Sequence, residues 1–444
     1  MLMVACGSSS LESSATPGQA AQIVLRPQGL PAGATPSATV RTSGYSQQLT
    51  PQTPVTVRSG QLTLVGTSVV WNGTRYQAQP PTHLEVRQGQ TLPVDLNYLP
   101  LAVSGRVDSA LQPLDMALQE FVGQHNIPAA TLAIVRNGQV LAERGYGWLD
   151  PNRTRAVSPQ TPMRLASVTK PFTAALVRKL IAQGKLQAST PVFAYLGLAP
   201  LQGDTPDPRL SSITVEHLLN HRGGWNRELS FDPATDTRPI AKRLGLSRTP
   251  TPQEIARYMM GQPLQHAPGS TYAYSNLGYI LLGLVAEKAS GTTYASALQS
   301  NLLAPLHLSS VQPGRSLPAD RNPNEPFYSD PGTCLSELAP NSTQIIPCAD
   351  GGFSLETGLA NGGLIASATD VARFFDRYTA QGIEQPASAG GVSYHTGALA
   401  GTFTLAYRSR GYAVVVLFNQ RRAALGDDVS IYDGVRNLVE SKLP

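Results

Sequence analysis

The chain is 444 residues long, more than one ordinary core needs and enough for two domains, one of them an enzyme domain of about 350 residues. Hydrophobic residues make up 41% and charged residues 14%, with 40 Gly and 36 Pro, a balance that describes a loop-rich globular protein and excludes a disordered or coiled-coil chain. The formal charge of +5 rests on arginine, since six of the 34 basic residues are lysines; the sequence has no block of like charge and no apolar run of about 18 residues, which excludes a nucleic-acid footprint and a membrane-spanning helix.

In chain order, Met1-Leu2-Met3-Val4-Ala5-Cys6-Gly7-Ser8 resembles the end of a bacterial lipoprotein signal, in which a small residue precedes a lipidated Cys. Only five residues stand before Cys6, against the apolar stretch of about 7 to 15 that a signal needs, and the competing reading is an incidental Cys in a disordered cytosolic tail. Residues 1–21 are therefore expected to be a lipoprotein-type N-terminus with a flexible tether, because Ser8 to Gln22 is rich in Ser, Ala, Gly and Pro. Attachment to a membrane would run through a lipid on Cys6.

From residue 22 to 100 the apolar residues alternate, as at Val55 and Val57, Leu62 and Leu64, and Val94, Leu96 and Tyr98, which predicts strands. Val69-Val70-Trp71 and Thr74-Arg75-Tyr76 flank Asn72-Gly73, a strong hairpin signal. The segment reads as a small β-sandwich that carries no acid, base or metal constellation, a spacer or a binding module.

Residues 101–444 alternate helical and strand patterns. A helix is expected around Leu111 to Gln124, and strands over Ala130 to Val135 and Gln139 to Tyr146, joined at Asn137-Gly138. Helices are expected from Asn276 to Ala289, closed by Gly291, and from Ser367, with Asp370 three residues on, to about Gly382. Val414 to Phe418 reads as a buried strand, followed by a helix over Ile431 to Ser441. Cys334 and Cys348 lie in a loop-like stretch and are expected to form a disulfide, the competing reading being two buried free thiols. With Cys6 they point outside the cytoplasm, to the periplasm or the cell surface.

Three short motifs could carry chemistry. Ser167-Val168-Thr169-Lys170 puts a hydroxyl and an amine one helical turn apart; the amine can activate the hydroxyl if burial or a neighbouring charge lowers its pKa. Taken alone, it could equally be a surface helix with a Ser cap. Tyr274-Ser275-Asn276 stands after the turn-forming Pro268-Gly269, where a phenol could pass protons and an amide could orient Lys170 and a substrate carbonyl, or where a core Tyr and an N-cap Asn would do. His395-Thr396-Gly397, followed by Ala398, could let a substrate backbone lie along a strand and meet its carboxylate. His217 and His221 have the four-residue spacing of zinc ligands on a helix, yet no Glu follows His217 and no third ligand is evident; they read as packing or hydrogen-bonding residues. No metal and no cofactor are expected.

In this order and spacing the three motifs resemble the serine β-lactamase and penicillin-binding family, as do Ile213 to His221 and the glycine turn Asn361 to Asp370. The resemblance implies an α+β fold, an antiparallel sheet flanked by helices plus a helical subdomain, here preceded by the small all-β domain. It implies Ser167 as the nucleophile, Lys170 and Tyr274 as general base and acid, and Asn276 as orienting Lys170 and the substrate. The backbone N–H groups of Ser167 and Ala398 would form the oxyanion hole, and His395, Thr396 and Gly397 would line the site. Tyr-Ser-Asn with His-Thr-Gly is closer to D-alanyl-D-alanine carboxypeptidases and related esterases than to class C β-lactamases, which present Lys-Thr-Gly. A His in place of that Lys loses a fixed charge near pH 7.

The expected function is a cell-envelope serine hydrolase working through an acyl-enzyme on a D-alanyl peptide, an ester or a β-lactam. A carboxylesterase with the same residues is one alternative, and a non-hydrolytic penicillin-binding or envelope interaction protein is another.

Overall fold

The computed structural model describes residues 20–42, 44–78, 82–421 and 428–444. The expectations for Cys6 and for the tether up to residue 19 lie outside them. Contacts divide the chain into two units: one runs to Leu101 and includes Glu120–Asn126, the other holds Ala102–Gln119 and Ile127–Pro444.

In the first unit the strand pattern begins at Ala20. A five-stranded sheet runs in the order Val55–Arg58, Ala20–Gln28, Thr91–Pro100, Thr74–Ala78, Val69–Trp71, and a four-stranded sheet in the order Tyr45–Leu49, Ala38–Thr42, Gly60–Gly66, Thr82–Val86. The alternating apolar residues of both enter a common core, with Ile23, Leu25, Val40, Leu62, Leu64, Leu96 and Tyr98 buried. At the hairpin, Asn72 has φ 47° and Gly73 φ 78°. Two consecutive positive φ values are what a two-residue turn requires to match the twist of its strands, and Asn-Gly adopts them at the least cost.

The second unit is built on a six-stranded antiparallel sheet. Its strands are β1 (Val103–Val107), β2 (Ala129–Arg136), β3 (Gln139–Gly147), β4 (Ser393–Leu399), β5 (Thr402–Ser409) and β6 (Tyr412–Phe418), in the spatial order β1-β3-β2-β6-β5-β4. Every residue of β6 is buried, so the strand is covered on both faces, and this explains its unbroken apolar run. The edge strand β4 is only partly buried.

The helices include α1 (Gln112–Gln124), α2 (Thr169–Ala182), α3 (Asn276–Ser290) and α4 (Ala368–Arg377), of which α2 carries Lys170 and α3 begins with Asn276. Ser275 caps α3 by accepting from the Gly278 N–H, and Gly291 ends it in the left-handed conformation at φ 71°. Helices α2 and α3 are buried along most of their length and pack on each other, while α4 lies against β2 and β6.

Helix α4 is shorter than its sequence pattern suggests. It stops at Arg377, because Tyr378 turns extended and pairs with Glu384, leaving Gly382 in the intervening turn at φ 67°. Its start is also only half a capping box. The Ser367 side chain accepts from the Asp370 N–H, but the Asp370 carboxylate accepts from Ser310, from N at 2.8 Å and from Oγ at 2.7 Å. The final helix, Asp428–Lys442, starts ahead of Ile431. The architecture is α+β, a helix-flanked antiparallel sheet with a mainly helical subdomain and a sheet-rich N-terminal region.

Candidate active site

The short strand Met163–Arg164 pairs with Leu364–Ala366 and leads into Ala166, whose φ is +46°. A non-glycine residue in the left-handed region is strained; here it turns the chain sharply enough to put Ser167 in the 3-10 turn that opens α2. One turn on, Lys170 is completely buried. Its Nζ donates to Ser167 Oγ at 3.0 Å and to the Asn361 carbonyl at 2.7 Å.

Burial lowers the Lys170 pKa to about 7; Asp232 opposes the shift and Arg227 adds to it. Both protonation states are therefore populated near neutrality. Tyr274 joins the pair from the other side. Its ring lies 4.9 Å from Lys170 Nζ. Burial raises the phenol pKa well above its ordinary value, the nearby Ser167 hydroxyl and Arg227 acting against the rise. The sequence-predicted Ser167, Lys170 and Tyr274 thus meet in one cluster in which the amine, and not the phenol, can be unprotonated at neutral pH.

Asn276, the first residue of α3, behaves differently from the expectation. Its Nδ2 donates to Asp232 Oδ2 at 2.6 Å, and its Oδ1 is buried without a partner. The group that orients Lys170 is the Asn361 carbonyl, in the glycine turn to which the sequence assigned no role. That turn is tied to α2 by the Leu364 N–H donating to Thr169 Oγ1 at 3.2 Å.

His395, Thr396, Gly397 and Ala398 lie on the edge strand β4. A Cβ at Gly397 would stand 2.3 Å from both the Leu165 carbonyl oxygen and Thr404 Oγ1, and 3.0 Å from Ser167 N. Gly397 is therefore needed for β4 to press against the Ser167 turn, rather than to admit a substrate backbone. His395 Nδ1 donates to the Thr396 carbonyl at 2.7 Å, which leaves Nε2 as an acceptor. Burial first, and the Lys170 charge second, push its pKa down to about 4, so the imidazole is neutral.

His217 and His221 have separate tasks. His217 completes a capping box with Thr214. His221, at φ 53°, accepts from the Ser275 N–H at 3.1 Å and stacks on Tyr274 with ring centroids 4.6 Å apart. Burial, with the charge of Lys170 next, holds it down at about 3.

These groups open on a cleft of about 550 Å³ lined by Ser167, Tyr274, Asn276, His395, Thr396 and Ala398. Arg227 and Asp232 also line it, and no motif in the sequence signalled either; both stand in a loop more than 40 residues from Tyr274. One wall is the segment from Cys348 to Leu355. Cys348 is bonded to Cys334 with Cα atoms 5.3 Å apart, across the antiparallel pair Thr333–Leu335 and Ile345–Pro347. Replacing both cysteines by Ser is expected to cost about 2–3 kcal/mol, for a loop with a sequence separation of 14, and to raise KM for cleft ligands more than it lowers kcat. Urea titration and steady-state kinetics of the double variant check both.

The Beta-lactamase family model matches residues 114–390, more than half of the chain. The chain belongs to this family. The match covers the Ser167 and Tyr274 motifs and ends ahead of His395. Among characterised relatives, esterase EstB of Burkholderia gladioli is 32% identical over 213 residues, 47% of this chain and 52% of that protein. Protein flp of Staphylococcus aureus strain N315 is 28% identical over 197 residues, 44% of this chain and 37% of that protein. The chain thus spans about half or less of these Beta-lactamase-family relatives. Among solved structures, the D-amino acid amidase of Ochrobactrum anthropi SV3 superposes with TM-score 0.54 at 19% identity, covering 76% of this chain and 100% of that one. An octameric penicillin-binding protein homologue from Pyrococcus abyssi gives 0.53 at 20% identity, covering 74% and 77%. At that identity the likeness establishes the fold.

Proposed function

We propose that this Beta-lactamase-family protein is a serine hydrolase that carries the acyl group of its substrate on Ser167. One observation carries the reading: a completely buried Lys170 amine 3.0 Å from Ser167 Oγ, with its pKa brought down to about 7. Unprotonated Lys170 takes the Ser167 proton as Oγ attacks the carbonyl carbon. The N–H groups of Ser167 and Ala398 hold the oxyanion that forms. Tyr274, still a phenol, gives its proton to the leaving group and is reprotonated from Lys170 as the acyl-enzyme forms. Water then enters and the same groups act in reverse.

Two substrate classes fit. The motif set supports a D-alanyl-D-alanine carboxypeptidase, whereas the neutral His395 favours esters, because it offers no fixed charge to a terminal carboxylate and the Arg227 guanidinium in the cleft wall is already paired with Asp232 and Glu228. We take the short neutral acyl ester as the better substrate. The bonded Cys334–Cys348 pair supports an oxidising, extracytoplasmic location, with lipid anchoring through Cys6 as part of the same proposal.

The test is kcat/KM against pH for a short acyl ester beside a D-alanyl-D-alanine peptide. The ester is expected to be preferred by roughly tenfold or more. Its kcat/KM should rise with pH through about 7, because the active form is the one in which Lys170 has lost its proton. A preference for the peptide would return the carboxypeptidase reading to first place.

A further inference from the structure

Arg227 stands in the wall of the cleft with its guanidinium carbon 5.0 Å from the centre of the Tyr274 ring. The loop that carries it is fixed. Trp225 is buried beside it, and the Asn226 N–H donates to Gln265 Oε1 at 2.9 Å. Gly224, at φ 103°, could not accept a Cβ without meeting the His266 carbonyl at 2.7 Å. The guanidinium itself is held by Asp232 at 3.4 Å and Glu228 at 3.2 Å. An arginine keeps its charge at every pH of interest, and over an aromatic face it is attracted to the ring.

The groups that face Lys170 and Tyr274 are His221, His395, Tyr272, Tyr279, Asp232 and Arg227. Both histidines are neutral, and burial keeps the Tyr279 phenol protonated. Asp232 and Arg227 are the charged groups that act on both Lys170 and Tyr274, and they act in opposite senses; Glu228, the other partner of Arg227, and Arg421, elsewhere in the cleft lining, are the further charges nearby. A positive charge beside Lys170 disfavours its protonated form, and beside Tyr274 it favours the phenolate. Asp232 does the reverse.

We propose that Arg227 is a positioning residue that supplies the fixed positive charge of this centre, the part that the neutral His395 on β4 does not play. It acts through Tyr274, whose ring it covers, and through Lys170, where its charge adds to the burial that disfavours the protonated amine and Asp232 opposes it. The proposal rests on the reading of Ser167 as nucleophile and Lys170 as base.

Its test is the pH profile of kcat/KM for a short neutral ester at constant ionic strength, measured on the parent protein and on Arg227→Gln, Arg227→Lys, Asp232→Asn and Ser167→Ala. Arg227→Gln is expected to lose roughly three- to tenfold at pH 6 and to approach the parent at pH 9, the signature of an acid limb moved to higher pH. Arg227→Lys keeps the charge and should restore most of the loss. In Asp232→Asn the limb should move to lower pH, whatever the height of its plateau. A limb that stays in place in Arg227→Gln, or a loss equal at every pH that lysine does not rescue, overturns the role of Arg227 and leaves the nucleophile and base standing. A parent without the limb, or a Ser167→Ala as active as the parent, overturns both.

Discussion

Lys170→Met is expected to lower kcat/KM by about a thousandfold or more while the protein stays folded. The magnitude follows from the general-base contribution of roughly 10²–10⁴, to which Lys170 adds the orientation of Ser167 Oγ at 3.0 Å. Methionine fills a similar volume, so no large cavity opens in α2. Two effects on stability oppose each other. Removing an amine from a completely buried position relieves desolvation, whereas the Asn361 carbonyl loses the donor it holds at 2.7 Å. The net change is expected within about 1–2 kcal/mol. Steady-state kinetics beside thermal unfolding separate the outcomes: activity lost with stability kept supports a chemical role, and parallel loss of both would assign Lys170 to packing.

The second large effect is expected at Gly397. In Gly397→Ala the new methyl would stand 2.3 Å from the Leu165 carbonyl and from Thr404 Oγ1. Both atoms are already committed to each other by a hydrogen bond of 2.9 Å. Because the backbone carrying Leu165 is two residues from Ser167, β4 must move away from the turn by a large fraction of an ångström. A displacement of that size is expected to cost about a hundredfold in kcat, with about 1–3 kcal/mol of stability. A substitution at the neighbouring exposed Val392 should leave both unchanged, and the comparison of the two variants isolates the contact between strand and turn.

Local chemistry was legible in the sequence and long-range placement was not. Ser167 and Lys170 are one turn apart, so their meeting needs only a helix. The Asn72-Gly73 hairpin and the Gly291 cap follow from φ preferences that a few residues express alone. Helix α4 illustrates the first limit: its apolar pattern continues toward Gly382, but Tyr378 finds a better partner in Glu384, and a pairing across a turn is invisible to periodicity. Asn276 illustrates the second. Its amide was free to choose between Lys170 and any other partner, and Asp232 takes it. Asn361 contributes a main-chain carbonyl, which every residue has. Arg227 reaches Tyr274 through a loop whose course depends on Trp225 and Gln265, so the sequence around it offered no pattern to read.

The measurement that bears most directly on the central claim is an acid-quenched intact-mass time course of the parent and Ser167→Ala with a short acyl ester, run beside the rate of ester consumption. A Ser167 nucleophile gives an acyl adduct that maps to the peptide containing Ser167 in the parent. No adduct is expected in Ser167→Ala, with hydrolysis at least a thousandfold slower, in keeping with the loss of a nucleophile from a set of residues that act as a unit. An adduct on another residue, or a Ser167→Ala variant that consumes the ester at the parent rate, would contradict it.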